Sequence, residues 1–370
     1  MQAMDTLELF EKLLRYKSIT PDDDGALDFI EEYLSDFECL KLDRNGVKNR
    51  LYYKRFTDDD VHLCFAGHID VVPAGEGWES DPFTPTINED TIRARGTQDM
   101  KSGICAFMQA LKKTNSFNGT LSLLVTSDEE GPAVDGTVIM LEYLKQKGLM
   151  PSFGVIGEPT CEQIFGDTIK IGRRGSINGL IKVKGKQGHA AYPKKAINPI
   201  HNIAPFLDKI AGVSLDSGDD DFAPSELIIT DIRAGMRVTN VTPNDLELMF
   251  NVRNSTKTTA KDIEDFVSRA FCELDYELTL DSGAKSFVTN KQSKIVKAMQ
   301  KSVEQITQTK TNLSTAGGTS DARFFGEYGI DVVEFGVKND TIHAINESTS
   351  IKDVLDLEKI YSLVIENISN

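Results

Sequence analysis

VHLCFAGHIDVVP, residues 61–73, starts as a short apolar run and closes on a histidine, an aspartate and a proline. The run from Val61 to Ala66, broken only by His62, predicts a strand buried on both faces. In open α/β sheets function gathers where such strands end. Two later runs repeat the pattern. Thr120 to Thr126 leads into Asp128, Glu129 and Glu130, and Gly154 to Ile156 leads into Glu158. Between those two and the first, Met100 to Lys113 carries apolar residues at helical spacing. Strand and helix in alternation predict an α/β sheet covered by helices on both faces.

Working outward, Asp5 with Glu8 three residues on has the form of a capping box, and Leu7, Phe10, Leu13 and Leu14 follow at helical spacing. The stretch from Met1 to Tyr16 therefore reads as a first helix; it lacks the basic start and apolar core of a signal peptide. A second helix is expected from Ala26 to Phe37. Beyond about residue 175 the character changes. Ser176 to Lys184 and Leu246 to Val252 alternate as half-buried strands do, Asn198 to Ala211 reads as helix, and Asp216 to Asp221 as a solvated acidic turn. Helical patterns return at Ser293 to Ile306 and Val354 to Ile365. A smaller α+β domain inserted into an α/β domain accommodates this order, and 370 residues exceed what one core usually supports.

The 57 acidic residues outnumber the 41 Lys and Arg, giving a net charge of −16. That balance argues against nucleic acid as a partner, since phosphate binding depends on clustered cations. No apolar stretch approaches the roughly 20 residues that span a bilayer, which argues against a membrane role. Five scattered cysteines, never in a CxxC pair, fit reduced thiols in a cytoplasm.

The chemistry concentrates at the strand ends. His68 with Asp70, Glu129 with Glu130, and Glu158 are joined by Asp99 and by the late His343. Taken singly, each acid also reads as a solvated loop carboxylate, and His68 as a core histidine. Delivered together by three strand ends, they form a donor set suited to zinc, with cobalt or manganese as substitutes. Asp70, two residues beyond His68, leaves on the same side and is expected to hold its imidazole N–H. Of the adjacent Glu129 and Glu130, one can bind metal while the other takes a proton from water. Two metals clamping nucleophile and substrate oxygen suit hydrolysis of an amide or peptide. His62 and His201 have no motif around them and read as structural.

The strings GHIDVVPAG (67–75), RGTQDMKSG (95–103), TSDEEG (126–131), IGEPT (156–160), GRRGS (172–176), QGHAAYP (187–193) and TAGGTSDARFF (315–325), with His343 before Asn346 and Glu347, resemble the M20 metallopeptidase family. The resemblance is collinear from about Leu13 to Tyr361. It implies a zinc-aminopeptidase-like catalytic domain with a mixed central sheet, formed by residues 1–174 and 287–370. It also implies an inserted α+β, ferredoxin-like dimerisation domain at 175–286. Two zinc ions are implied, with cobalt possible in either site. Asp99 bridges both; His68 and Glu158 complete one site, Glu130 and His343 the other. The resemblance likewise implies Glu129 as the general base, Asp70 as the orienter and a cis bond between Asp99 and Met100.

Departures are few. Ala94 to Thr97 replaces the commoner Gly-Arg-Gly-Ala, and Ser102 stands where glycine is usual, which bears on backbone approach near Asp99. No ligand or base is lost, which argues against a non-catalytic scaffold. The paired arginines of GRRGS, with TAGGTSDARFF, point to a small-molecule succinyl amide bearing several carboxylates; within the family, acetylated amino acids and peptides are the alternatives. An anionic substrate needs a local cationic pocket. Lys170, Arg173, Arg174 and Arg253 are candidates, with Tyr192, Asn240, Gly318, Thr319 and Asn339 adding hydrogen bonds. The resemblance also implies a homodimer in which His189, with Asn240, reaches the partner's site and steadies the oxyanion.

Overall fold

The structure, a computed structural model, describes residues 4–369; Met1 to Ala3, at the head of the first-helix reading, and Asn370 lie outside them. The chain divides into two compact units. The large one comprises Met1–Gly172, Thr289–Ser314 and Ser320–Asn370; the small one comprises Arg173–Val288 and Thr315–Thr319. The strands that matter here are β1 (Glu38–Arg44), β2 (Val47–Arg55), β3 (His62–His68), β4 (Thr120–Thr126), β5 (Phe153–Ile156), β6 (Thr168–Lys170), β7 (Ser176–Lys184), β8 (Glu226–Ala234), β9 (Asp245–Arg253), β10 (Tyr276–Ala284), β11 (Asn312–Ser314) and β12 (Asp331–Glu334). The helices are α1 (Thr6–Leu14), α2 (Ala26–Tyr33), α3 (Lys101–Lys113), α4 (Ala260–Ala270), α5 (Lys294–Thr307) and α6 (Ile351–Ser369).

The large unit is built on one mixed sheet in the order β1-β2-β4-β3-β5-β12-β6-β11. β3 lies parallel to both its neighbours: Ala66 faces Leu124 on β4 and Ile156 on β5. This register brings the carboxyl ends of all three strands to one edge. The three strands are fully buried apart from Phe153, as continuous apolar runs in a parallel sheet require. Above β3, Phe65 stacks on Phe107 of α3 at 4.6 Å, and Phe107 on Tyr361 of α6 at 4.3 Å. Each such ring contributes about 1.5–3 kcal/mol by leaving water. The α1 capping box forms as spaced, Glu8 N–H donating to Asp5 and Asp5 N–H to Glu8.

The small unit has its own antiparallel sheet, β8-β9-β7-β10, with the short pair Val213–Ser214 on the β8 edge. β7 alternates: Ile181 and Val183 are buried while Lys182 and Lys184 are exposed. Ile263 and Val267 of α4 join Ile181, Leu248 and Phe250 in a separate core.

Three local expectations change. The helix expected from Ala26 to Phe37 ends at Tyr33, because Leu34 leaves the helical region and Ser35 and Asp36 favour turns. The stretch from Asn198 to Ala211 breaks into a short helix, Pro199–Ile203, and a 3-10 turn, Ala204–Lys209. Pro205 lacks the N–H that an α-helix would need there. Asp216 is no freely solvated acid: its carboxylate accepts from the hydroxyls of Ser225, Ser255 and Thr258 and from the N–H of Gly218. Among the described residues no helix is long and apolar enough to cross a membrane, and all five cysteines are free thiols.

Candidate metal centre

β3 ends on His68, which is fully buried. Its Nδ1 lies 2.9 Å from the carbonyl oxygen of Asp70, so that nitrogen donates and the ring turns Nε2 toward the neighbouring carboxylates. The expected partner was the Asp70 carboxylate, which stands farther off, at 3.6 Å. That carboxylate instead accepts from the N–H groups of Glu129 (3.4 Å) and Glu130 (3.2 Å), fixing the turn after β4. Burial raises the Asp70 carboxyl to about 6.

Around His68 Nε2 stand Asp99 Oδ1 at 3.1 Å, Glu158 Oε1 at 3.7 Å and Glu129 Oε2 at 3.9 Å. The other Asp99 oxygen, Oδ2, lies 3.3 Å from His343 Nε2, which is 2.9 Å from Glu130 Oε1. Two donor groups result, His68–Asp99–Glu158 and Asp99–Glu130–His343, each with its ligand atoms within 4.8 Å of one another. Asp99 gives one oxygen to each. The Asp99–Met100 peptide bond is cis. α3 begins directly after it and presses on the end of β5, where Gly103 meets the backbone of Gly157. The close approach is therefore made at Gly103; Ser102, buried, donates to the Gln98 carbonyl at 3.4 Å.

The electrostatics fit a cation at each group. Burial opposes charge on His68, yet the hydrogen bond to Asp99 and the nearby acids carry it well above its ordinary range. Hydrogen bonds to Asp99 and Glu130 raise His343 to about 10. Burial would raise Asp99, but the two imidazoles pull it below the usual carboxylate range. Protons are drawn to the places a divalent ion would occupy. Burial, then the charge of Asp99, pushes Glu158 well above its ordinary value; burial, with Asp321, Asp99 and Glu130, does the same to Glu129. Carboxylate oxygens and imidazole nitrogens in these numbers suit zinc, cobalt or manganese.

Two acids had no assigned role in the sequence. Asp321, in the TAGGTSDARFF string, is buried, accepts from Thr137 Oγ1 at 2.6 Å and adds to the field on Glu129. Glu347 is fully buried against Arg95 at 2.7 Å. Its only signal was its place four residues after His343.

The expected substrate residues fall in both units. In the large unit Lys170 is buried, with Nζ 3.0 Å from Glu162 and 3.3 Å from Ser314 Oγ. Asn339 donates its N–H to Cys161, next to Glu162. In the small unit Arg173 donates to the Ala316 carbonyl at 3.1 Å, close to Gly318 and Thr319. Gly317, at φ +107°, lets that guanidinium approach, for a Cβ there would strike Nη1. His189 and Tyr192 are exposed, their rings 5.7 Å apart, and Ala190 N–H bonds the Asn240 carbonyl, so these three residues lie together. Arg253 is exposed at the end of β9, and Arg174 is half-buried. His62 is buried, 2.7 Å from Ser122 Oγ.

The chain is similar to known proteins along nearly its whole length. The model of peptidase family M20/M25/M40 matches residues 64–367. A succinyl-diaminopimelate desuccinylase of Aliarcobacter butzleri is 60% identical over 98% of this chain and all of its own length. One from Sulfurimonas denitrificans is 58% identical over 98% of this chain and 99% of its own. Among solved structures, aminopeptidase PepT from Bacillus cereus superposes with a TM-score of 0.82 at 19% identity, covering 99% of this chain and 100% of its own. A dinuclear metal-binding M20 peptidase from Bacillus subtilis gives 0.70 at 13% identity, covering 98% and 97%. With a family match across most of its length and relatives near 60% identity, the chain belongs to peptidase family M20/M25/M40.

Proposed function

We propose that the chain hydrolyses N-succinyl-LL-2,6-diaminopimelate to succinate and LL-2,6-diaminopimelate, a step of diaminopimelate and lysine biosynthesis. Support comes from relatives of that name at 55–60% identity over nearly the whole chain. The observation that carries the chemistry is Asp99, whose two oxygens face two separate histidine–carboxylate groups. Those groups would hold two divalent ions, zinc in the first instance with cobalt as a substitute. Such ions would polarise the amide carbonyl and bring water toward a pKa of about 7.

The remaining steps belong to the protein. Glu129 takes a proton as water attacks the succinyl carbonyl carbon. It holds that proton until the C–N bond breaks and the amine nitrogen receives it. Asp70 holds Glu129 and Glu130 through their backbone N–H groups, and its carbonyl orients His68. Lys170, Arg173 and Arg253 meet the substrate's carboxylates, with Tyr192, Asn240, Gly318, Thr319 and Asn339 adding hydrogen bonds. Lys170 must exchange Glu162 for the substrate.

The small unit is assigned the dimer contact, and His189, beside Asn240, the role of oxyanion donor to the partner's site. Its exposure and its place outside the large unit support that role. Free cysteines support a reducing, cytoplasmic setting. Initial rates on N-succinyl-diaminopimelate, N-acetylornithine and a dipeptide, with zinc and after chelation, test the proposal. Faster turnover of either alternative defeats the substrate assignment, and activity that survives chelation defeats the metal assignment.

A further inference from the structure

We infer that Arg95, Gln98 and Glu347 form a clamp that sets the spacing of the Asp99–Glu130–His343 group, making them positioning residues for the second cation. The inference rests on the proposed metal reading. Glu347 Oε1 accepts from the N–H groups of Gln98 (2.7 Å) and Asp99 (3.3 Å). Its Oε2 accepts from Gly96 N–H (3.0 Å) and Arg95 Nη1 (2.7 Å). Arg95 also donates to the carbonyls of Ala344 (3.2 Å) and His343 (3.4 Å). Gln98 Nε2 donates to Asp340 (2.6 Å) and the Ser348 carbonyl (2.8 Å), while its Oε1 accepts from Thr341 N–H (2.9 Å).

These bonds join segment 95–99, which presents Asp99, to segment 340–348, which presents His343. Outside the clamp the segment is tied by Ala94 N–H to the Glu347 carbonyl, Glu79 N–H to Asn346 and the Ser348–Arg93 pairing, none of which holds residues 340–343 themselves. His343 is exposed, lies between β12 and the strand Ser348–Ser350, and holds φ +57°, uncommon outside glycine. His68 and Glu158, in contrast, sit on adjacent strand ends fixed by the β3–β5 ladder. Loosening the clamp should therefore weaken the second group far more than the first.

The test is calorimetric titration of the metal-free full chain with Zn2+ alone, alongside its thermal melt. The unaltered chain taking up two equivalents checks the underlying metal reading separately. Gln98→Leu removes three links while leaving the buried charges paired; Glu347→Gln sets an amide N–H2 against N–H donors. In either variant the expected result is one equivalent bound as before and the second weakened ~10–100-fold, the scale on which outer partners tune metal sites. Glu347→Asp should restore part of the loss. Equal weakening of both equivalents, or no change in either, overturns the inference. So does loss of the metal-free fold in both variants, since the clamp would then serve the fold.

Discussion

Replacing Gly103 by alanine sets two physical effects against each other, and the structure decides the sign. Gly103 lies inside α3, where alanine is favoured over glycine by about 1 kcal/mol, so propensity alone gives a more stable protein. An added Cβ, however, would stand 2.5 Å from the Gly157 carbonyl oxygen and 2.9 Å from its Cα, where real contacts rarely fall below 3.0 Å. Gly157 cannot yield freely, because its N–H is bonded to Ala66 in β3. The helix must retreat by half an ångström or more. Overpacking against fixed backbone costs about 2–3 kcal/mol, leaving a net loss of about 1–2 kcal/mol. For a unit of this size that lowers the melting temperature by about 2–8 °C. The retreat also draws Asp99, just before α3, away from Glu158, just after Gly157, so affinity for the first Zn2+ should fall. Differential scanning calorimetry of the metal-free protein measures the first effect, and a Zn2+ titration the second. A melting temperature that rises would refute the packing argument.

Three further outcomes are expected. Glu129→Gln should bind both metals with unchanged affinity while kcat falls ~10²–10⁴-fold, the range of general acid–base catalysis; metal content and rate measured on one sample check this. Asp70→Asn should leave the His68 ring in place, since a carbonyl holds it, but disturb Glu129 and Glu130. The expected loss is ~10–100-fold in kcat with KM little altered, and a change confined to KM would contradict it. Burial lowers His62 from 6.5 to about 4, although backbone hydrogen bonds resist this. Between those values the unfolded chain takes a proton that the folded one refuses, so its contribution is whole above pH 6.5 and is lost as pH falls toward 4. The loss is of the order of a few kcal/mol. His62→Gln should flatten the stability profile in that window, and identical slopes for both proteins would count against the assignment.

What the sequence made legible follows from how local each signal is. β3, β4 and β5 announced themselves because a doubly buried strand must be apolar throughout, and the acids that follow each run are its immediate neighbours. The pairing of His68 with Asp99, and of His343 with Glu130, joins residues far apart along the chain, so the family pattern and not periodicity indicated it. Glu347 escaped because its partners, Arg95 and three backbone N–H groups, lie some 250 residues upstream, and backbone donors leave no mark on sequence. The spacing of His68 and Asp70 predicts the Asp70 carboxylate as the imidazole's partner, whereas the geometry favours the Asp70 main-chain carbonyl. The pairing of Lys170 with Glu162 also depends on a turn that composition does not reveal.

The position of α6 has a consequence for the protein's birth on the ribosome. Tyr361 completes the stack with Phe107 and Phe65, yet it is synthesised roughly 250 residues after Phe107. At the ordinary rate of about 5–20 residues per second, that interval lasts on the order of ten seconds or more. Through it the nascent large unit displays an apolar surface on α3 and β3, while the small unit, whose own core lies almost wholly within a continuous stretch, can close first. The order of synthesis thus makes the large unit of this chain the later to mature, and the one more dependent on protection from aggregation before release.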